Sequence, residues 1–285
     1  NNGLISHKDL EQYYSVYRDP IIGTYRGYTI ASMGPPSSGG PLIVQMLNML
    51  ENFDVSSMER NSTQFVHMLT EIQRLAYADR AIHLGDPDFY PSPIPMLVSK
   101  EYAKKRLELV SMDKATPSGE IAAGTTIPES METTHYSAMD KFGNTVGITT
   151  TINLSYGNKK IVDGAGFLLN NEMDDFATSP GVQNAFGLIG YEANSIKPAK
   201  RPLSSMSPTI VLDPEGNSLM TVGAAGGSRI ITAVLQVIIS VVDHNLDIQD
   251  AINLGRTHSQ WIPDVIRYEG ANNLNEEFNE FLPSL

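Results

Sequence analysis

Residues 133–153 read TTHYSAMDKFGNTVGITTTIN, and this stretch sets the class of architecture. Thr134–Asp140 and Asn144–Asn153 are strand-like runs rich in β-branched and aromatic residues, joined by Lys141-Phe142-Gly143. That pattern predicts an antiparallel hairpin. A second hairpin is predicted from Ser207–Asp213, the turn Pro214-Glu215-Gly216-Asn217, and Ser218–Gly223. Strands that pair by hairpins, instead of alternating strictly with helices, imply a largely antiparallel sheet packed against helices, an α+β fold.

Working outward, residues 27–33 read as a strand, followed by the small-residue loop Gly34–Gly40. Pro41 then suits the first turn of a helix reaching about Phe53, where its missing N–H costs nothing. A second helix, from about Ser62 to Leu84, places Phe65, Leu69, Ile72, Leu75 and Ile82 near one face, and Gly85-Asp86-Pro87 ends it. Beyond it Pro91, Pro93, Pro95, Pro117 and Pro128 make the chain turn-rich, and 112–132 reads as an exposed, mobile segment. Downstream, the apolar run Ile230–Val242 is too short for a bilayer, which needs about 20 residues, and predicts a buried helix. A shorter helix near Ile248–Leu254 and a strand near Val265–Tyr268 complete the pattern, with no repeat of fixed period.

Composition excludes several classes. The 285 residues suffice for one large domain or two small ones. With 32 acidic against 20 basic residues, the net charge of −12 repels phosphate backbones, so nucleic acid is not expected as a partner. The count of 0 cysteines removes disulfides, thiolate catalysis and Cys-ligated metal. His7, His67, His83, His135, His244 and His258 form no i,i+4 pair and no HExxH, so no metal site is expected. His135 reads as structural. The chain opens on Asn1, without a charged-then-apolar signal peptide, and reads as a processed or trimmed piece.

The candidate chemistry lies where the polar segment meets the first strand, at Glu132-Thr133-Thr134. Paired threonines at a strand start are ordinarily just β-formers. The chemical reading is that Thr133 cleaves the bond to Glu132 and so acquires a free α-amine, with a pKa near 8, as general base for its own hydroxyl. Gly226-Gly227 precede the apolar helix, where backbone N–H groups could face an anion. The surrounding GAAGGSR lacks the Gly-Lys-[Ser/Thr] ending of a nucleotide loop. Glu172-Met173-Asp174-Asp175 reads on its own as a solvated acidic loop, and Ser204-Ser205 as loop chemistry.

Several separated blocks then agree. TTHYSAMDKFGNTVGITTTIN (133–153), LLNNEMDDF (168–176), RPLSSMSPTI (201–210) and GAAGGSRIIT (223–232) resemble, in order, the small subunit of bacterial γ-glutamyltranspeptidases. YRGYTIASMGPPSSGGPLIVQMLNMLENFD (25–54) and YADRAIHLGDPDF (77–89) are similar to the end of that family's large subunit. The resemblance implies an αββα sandwich of the N-terminal-nucleophile hydrolase type. It makes 1–132 the C-terminal part of the large subunit and 133–285 most of the small one.

By that resemblance Thr133 is the nucleophile and Thr151 hydrogen-bonds its hydroxyl. Asn153, Glu172 and Asp175 hold the substrate's α-ammonium, Ser204 and Ser205 its α-carboxylate, and Gly226 and Gly227 form the oxyanion hole. Residues 179–200 resemble a lid found in some bacterial members, with Phe186 at its tip. The family's precursors extend upstream of Asn1, through a segment carrying an arginine for the α-carboxylate. The implied activity is transfer or hydrolysis of γ-glutamyl groups from glutathione and related amides, with amino acids or short peptides as acceptors. No cofactor is implied, and the implied location is the periplasm or medium. The rivals are a cephalosporin or glutaryl acylase on the same scaffold, a non-catalytic glutamate-binding relative, and a solute-binding protein for amino acids.

Overall fold

Two hairpins from opposite halves of the chain build the central sheet. The computed structural model describes residues 5–120, 133–177, 179, 181–183 and 187–269. Its elements are α1 (His7–Gln12), β1 (Ile21–Tyr25), β2 (Tyr28–Ser32), α2 (Gly39–Leu50), α3 (Thr63–His83), α4 (Ile94–Leu97) and α5 (Lys100–Leu107). After residues 121–132 come β3 (Thr134–Met139), β4 (Thr145–Thr150), β5 (Thr209–Leu212), β6 (Ser218–Val222), α6 (Arg229–Val242), α7 (Ile248–Asn253), β7 (Thr257–His258) and β8 (Arg267–Tyr268). The main sheet runs β1-β2-β5-β6, all antiparallel, with Ile30 opposite Val211 at the junction of the hairpins.

The β1–β2 turn is Arg26-Gly27, with φ of +51° and +89°. Positive φ at both central residues matches the right-handed twist of the strands it joins. Arginine tolerates this region poorly, but its side chain is tied down: Nε donates to Asp243 Oδ1 (3.1 Å) and Nη2 to the Phe53 carbonyl (2.7 Å).

Helix α2 packs on one face of the sheet, against β1 and β2, with α3 and α6 packed on α2 in turn, and every residue of α2 is buried. Ser62 caps α3 by accepting from Phe65 N (3.2 Å). Tyr25, Ile30, Val211, Met220 and Val222 meet Leu42, Leu47, Ile72, Leu235 and Ile238 in one core. Leu235 is fully buried in α6, so Leu235→Ala is expected to cost about 2–5 kcal/mol of stability, read as a lower denaturant midpoint at unchanged slope.

The β3–β4 hairpin packs on the other face, over β5 and β6. Its inner side is polar: Ser137 Oγ donates to the Thr221 carbonyl (3.1 Å), and Thr145 Oγ1 to Ser218 Oγ (2.8 Å). A Cβ on Gly223 would lie 2.2 Å from His135 Nδ1, so this glycine makes room for the imidazole. His135 bonds Thr149 Oγ1 (2.8 Å) and Ser137 Oγ (2.9 Å), in keeping with a structural role. The outer side exposes Tyr136, Val146 and Ile148. The described residues thus stack as helices, sheet and hairpin, the first three layers of the expected α+β sandwich.

Some expectations need correction. Strand β4 stops at Thr150 instead of Asn153, because Asn153 adopts a left-handed φ of +74° and redirects the chain. Ile82 is 43% exposed, outside the buried face of α3. The strand near Val265 shrinks to Arg267–Tyr268, paired with β7. Of the segment expected to be mobile, residues 116–118 are anchored: Arg74 donates to the Thr116 carbonyl and pairs with Asp264, which accepts from Ser118 N (3.0 Å). Residues 121–132 lie outside the described set.

Candidate active site

The hairpin register brings the two candidate threonines together. Thr134 pairs with Thr150, so Thr133 and Thr151 stand opposite each other one step further out, their hydroxyl oxygens 3.5 Å apart. Thr151 Oγ1 also accepts from Asn153 N (2.9 Å). The left-handed turn at Asn153 buries its side chain, whose Nδ2 donates to the Asn171 carbonyl (3.1 Å). Its Oδ1 is left without a partner among the described residues.

Asn171 Oδ1 accepts from Leu154 N (3.1 Å), which stitches this turn to the short 3-10 helix Glu172–Asp175. Glu172 and Asp175 hydrogen-bond each other, and Glu172 Oε1 has no further partner among the described residues. Asn194 then ties the acidic turn to the serine loop. Its Nδ2 donates to the Asp175 carbonyl (2.7 Å) and its Oδ1 accepts from Leu203 N (3.0 Å).

The loop Gly34–Gly40 supports the serines from behind. Ser204 N donates to the Pro36 carbonyl (2.8 Å), and Ser38 N to the Ser204 carbonyl (2.9 Å). From α3, Arg80 reaches the same place, Nε donating to Ser38 Oγ (2.9 Å) and Nη2 to Ser205 Oγ (3.3 Å). Gly226 and Gly227 have φ of +123° and +56° and lead into α6. Tyr77 O–H, one turn before Arg80, donates to the Ser228 carbonyl. Ser228 Oγ donates to Gln260 Oε1 (2.6 Å), which also faces His258 Nε2 (2.9 Å). Burial pushes the His258 pKa down to about 3, so this supporting network is uncharged at neutral pH.

One pocket joins these parts: Thr133, Thr151, Asn153, Glu172, Asp175, Ser204, Ser205 and Gly227 line it together. Of the sequence candidates, Gly226 is not part of this lining. Phe186 and Glu132 fall outside the described residues. The stretch expected as a lid is in part core: Leu188, Ile189, Ala193 and Asn194 are buried, and Leu188 lines the pocket.

Residues 1–284 match the Gamma-glutamyltranspeptidase family model. The chain belongs to the γ-glutamyltranspeptidase family. The glutathione hydrolase proenzyme of Escherichia coli (strain K12) is 49% identical to it over 270 residues, 94% of this chain and 46% of that protein. The Acylase ACY 1 proenzyme of Pseudomonas sp. (strain SE83) is 39% identical, over 91% of this chain and 44% of its own length. A mutant of the Helicobacter pylori γ-glutamyltranspeptidase is similar in structure, at 52% identity and a TM-score of 0.51 over 53% of this chain and 80% of that one. The chain spans about half the length of the curated relatives it matches.

Within this γ-glutamyltranspeptidase-family pocket, opposite charges are set a short way apart. Burial and the neighbouring Glu172 charge raise the Asp175 carboxyl well above its usual range, and the positive charge of Arg80 partly opposes this. Burial raises Glu172 as well. Two carboxyls in one partly dry site hold a shared proton more readily than two negative charges. A cationic group can take that proton's place.

Gly226 is held where only glycine is comfortable, so Gly226→Ala strains the backbone by about 1–3 kcal/mol at this turn. A drop in Tm together with slower turnover is expected. An unchanged Tm would show that the turn relaxes freely.

Proposed function

We propose that this protein transfers and hydrolyses γ-glutamyl groups through an acyl-enzyme on Thr133. Cleavage between Glu132 and Thr133 divides the chain into the end of a large subunit (1–132) and most of a small one (133–285). The freed α-amine of Thr133 takes the proton of its own hydroxyl, and Oγ1 attacks the γ-amide carbonyl of glutathione or a related compound. Thr151 orients that hydroxyl, and backbone N–H groups at Gly226-Gly227 receive the developing oxyanion. The amine half leaves with the proton. Water, an amino acid or a short peptide then takes the acyl group, and Thr133 is restored.

The observation that carries this reading is the pairing of unlike partners in one pocket. Asn153 Oδ1, Glu172 and Asp175 offer acceptors to an ammonium, while Ser204 and Ser205 offer hydroxyl donors to a carboxylate. A γ-glutamyl end carries both groups on one carbon. A glutaryl acylase, the second reading, finds support in the similarity to Acylase ACY 1 proenzyme. A glutaryl group has no ammonium, however, and would bring no cation to the Glu172–Asp175 pair.

The test uses the full-length precursor. Intact mass after incubation should show two fragments, the second beginning at Thr133. The product should release p-nitroaniline from γ-glutamyl-p-nitroanilide far faster than from glutaryl-p-nitroanilide. The reverse preference would favour the acylase. An unbroken chain that turns over the γ-glutamyl substrate would remove the freed amine from the mechanism. A periplasmic or secreted location is proposed with the family; among the described residues no helix is long and apolar enough to cross a membrane.

A further inference from the structure

We infer that Arg80 is a positioning residue for α-carboxylate recognition, acting through Ser205. The inference rests on the γ-glutamyl reading above and extends it to a residue outside the pocket lining. Arg80 occupies the last turn of α3, where a basic side chain ordinarily reaches solvent beside the helix C-terminus. Here it is only 3% exposed. Its polar contacts are hydroxyls: Ser38 Oγ at 2.9 Å from Nε and Ser205 Oγ at 3.3 Å from Nη2. Among the described residues no carboxylate forms a direct ion pair with it, and Asp175 attracts it only from further off.

A buried charge without a directly paired counter-ion is costly, so the groups that touch it should show what it serves. A guanidinium only donates. Both serine oxygens must therefore accept from Arg80, and each hydroxyl proton is turned elsewhere. Ser38 gives its proton to the Ser204 carbonyl (2.8 Å). Ser205 lines the pocket, and its proton has no acceptor among the described residues. Arg80 thus leaves the Ser205 hydroxyl as a donor aimed into the site, with a positive charge directly behind it. The group that completes the arrangement is an anion, and in the proposed substrate that is the α-carboxylate. The upstream arginine expected from the family resemblance would meet the same carboxylate directly; Arg80 acts from beneath.

The test uses the matured full-length protein and two anilides. γ-Glutamyl-p-nitroanilide carries the α-carboxylate, whereas 4-aminobutyryl-p-nitroanilide keeps the ammonium and lacks the carboxylate. Arg80→Gln should raise KM for the first by roughly 10- to 100-fold with kcat nearly unchanged, as loss of a charge-assisted contact implies, and should change kcat/KM for the second less than about twofold. Arg80→Lys should recover part of the loss. Arg80→Gln should add little to Ser205→Ala, because both act on one contact.

Equal loss on both anilides, or full additivity with Ser205→Ala, overturns the inference and makes Arg80 a plain strut. Should Arg80→Gln fail to mature, Ser38→Ala keeps the charge but releases Nε. It should raise KM by about threefold on the carboxylate-bearing substrate alone, and an unchanged KM overturns the inference. If Ser205→Ala itself shows no preference between the anilides, the carboxylate assignment fails at its root, a result distinct from failure of Arg80 alone.

Discussion

Replacing Thr133 by alanine is expected to leave the precursor a single polypeptide that releases no p-nitroaniline from γ-glutamyl-p-nitroanilide. Alanine offers no oxygen for either the self-cleavage or the acyl transfer, so both should fall together. Deleting a covalent nucleophile costs on the order of 10⁴-fold or more, with any residue of activity coming from binding and the oxyanion site. Thr133→Ser is the informative companion. It keeps the hydroxyl but loses the methyl that restricts χ1, so it should cleave and turn over more slowly without stopping. Thr151→Val, with the same shape and no hydroxyl, removes the partner 3.5 Å from the nucleophile and should cost about tenfold. Release of p-nitroaniline by pure Thr133→Ala protein at the unsubstituted rate would take Thr133 out of its role.

Asp175→Asn is expected to weaken catalysis and strengthen the empty fold at once. The carboxyl is raised well above its usual range by burial and by Glu172. With a raised folded-state pKa, the native protein holds a proton that the unfolded chain has released. Stability from this group is therefore present at low pH and declines as pH rises from the ordinary aspartate range, near 4, through the raised value. Asparagine removes the conflict, and Tm at neutral pH should rise. The substrate ammonium then meets one negative charge fewer, and kcat/KM for γ-glutamyl-p-nitroanilide should fall about 10²- to 10³-fold, the range for losing one partner of a buried charge pair. In the unsubstituted enzyme the ammonium must displace the shared proton, so KM should climb as pH drops below the raised pKa. A pH-independent KM, with Tm unchanged in Asp175→Asn, would show that the two carboxyls do not compete for a proton.

Much of this was legible because hairpins obey simple arithmetic. Once Thr134–Asp140 and the run from Asn144 are paired about Lys141-Phe142-Gly143, Thr133 and Thr151 fall opposite each other. The family resemblance had singled out Thr151, and the register supplies the physical reason. The apolar periodicity of α3 and the apolar run of α6 placed the core helices to within a residue or two. Helix α5 escaped notice because its polar sequence KEYAKKRL follows closely spaced prolines. Its signal was Ser99, whose hydroxyl accepts from Tyr102 N (3.1 Å) as an N-cap. Strand β1 is short, and its turn uses an arginine where glycine or asparagine would have announced a hairpin. Arg80, Tyr77 and Asn194 could not be read as site residues at all. Each works through a contact with chain far away in sequence, and only the folded arrangement shows that the end of α3 points inward.

Tyr77 and Arg80 have a consequence for acyl-chain length. One steadies the carbonyl of Ser228, beside the glycine pair, and the other holds Ser205. Three positions apart on a single buried helix, they are separated by about 4.5 Å along its axis. Under the proposed γ-glutamyl chemistry the helix would then be a ruler beneath the site, setting the interval between the glycine pair and Ser205 that the acyl group must span. On this view a homologue one methylene longer, such as an α-aminoadipyl amide, overshoots its mark.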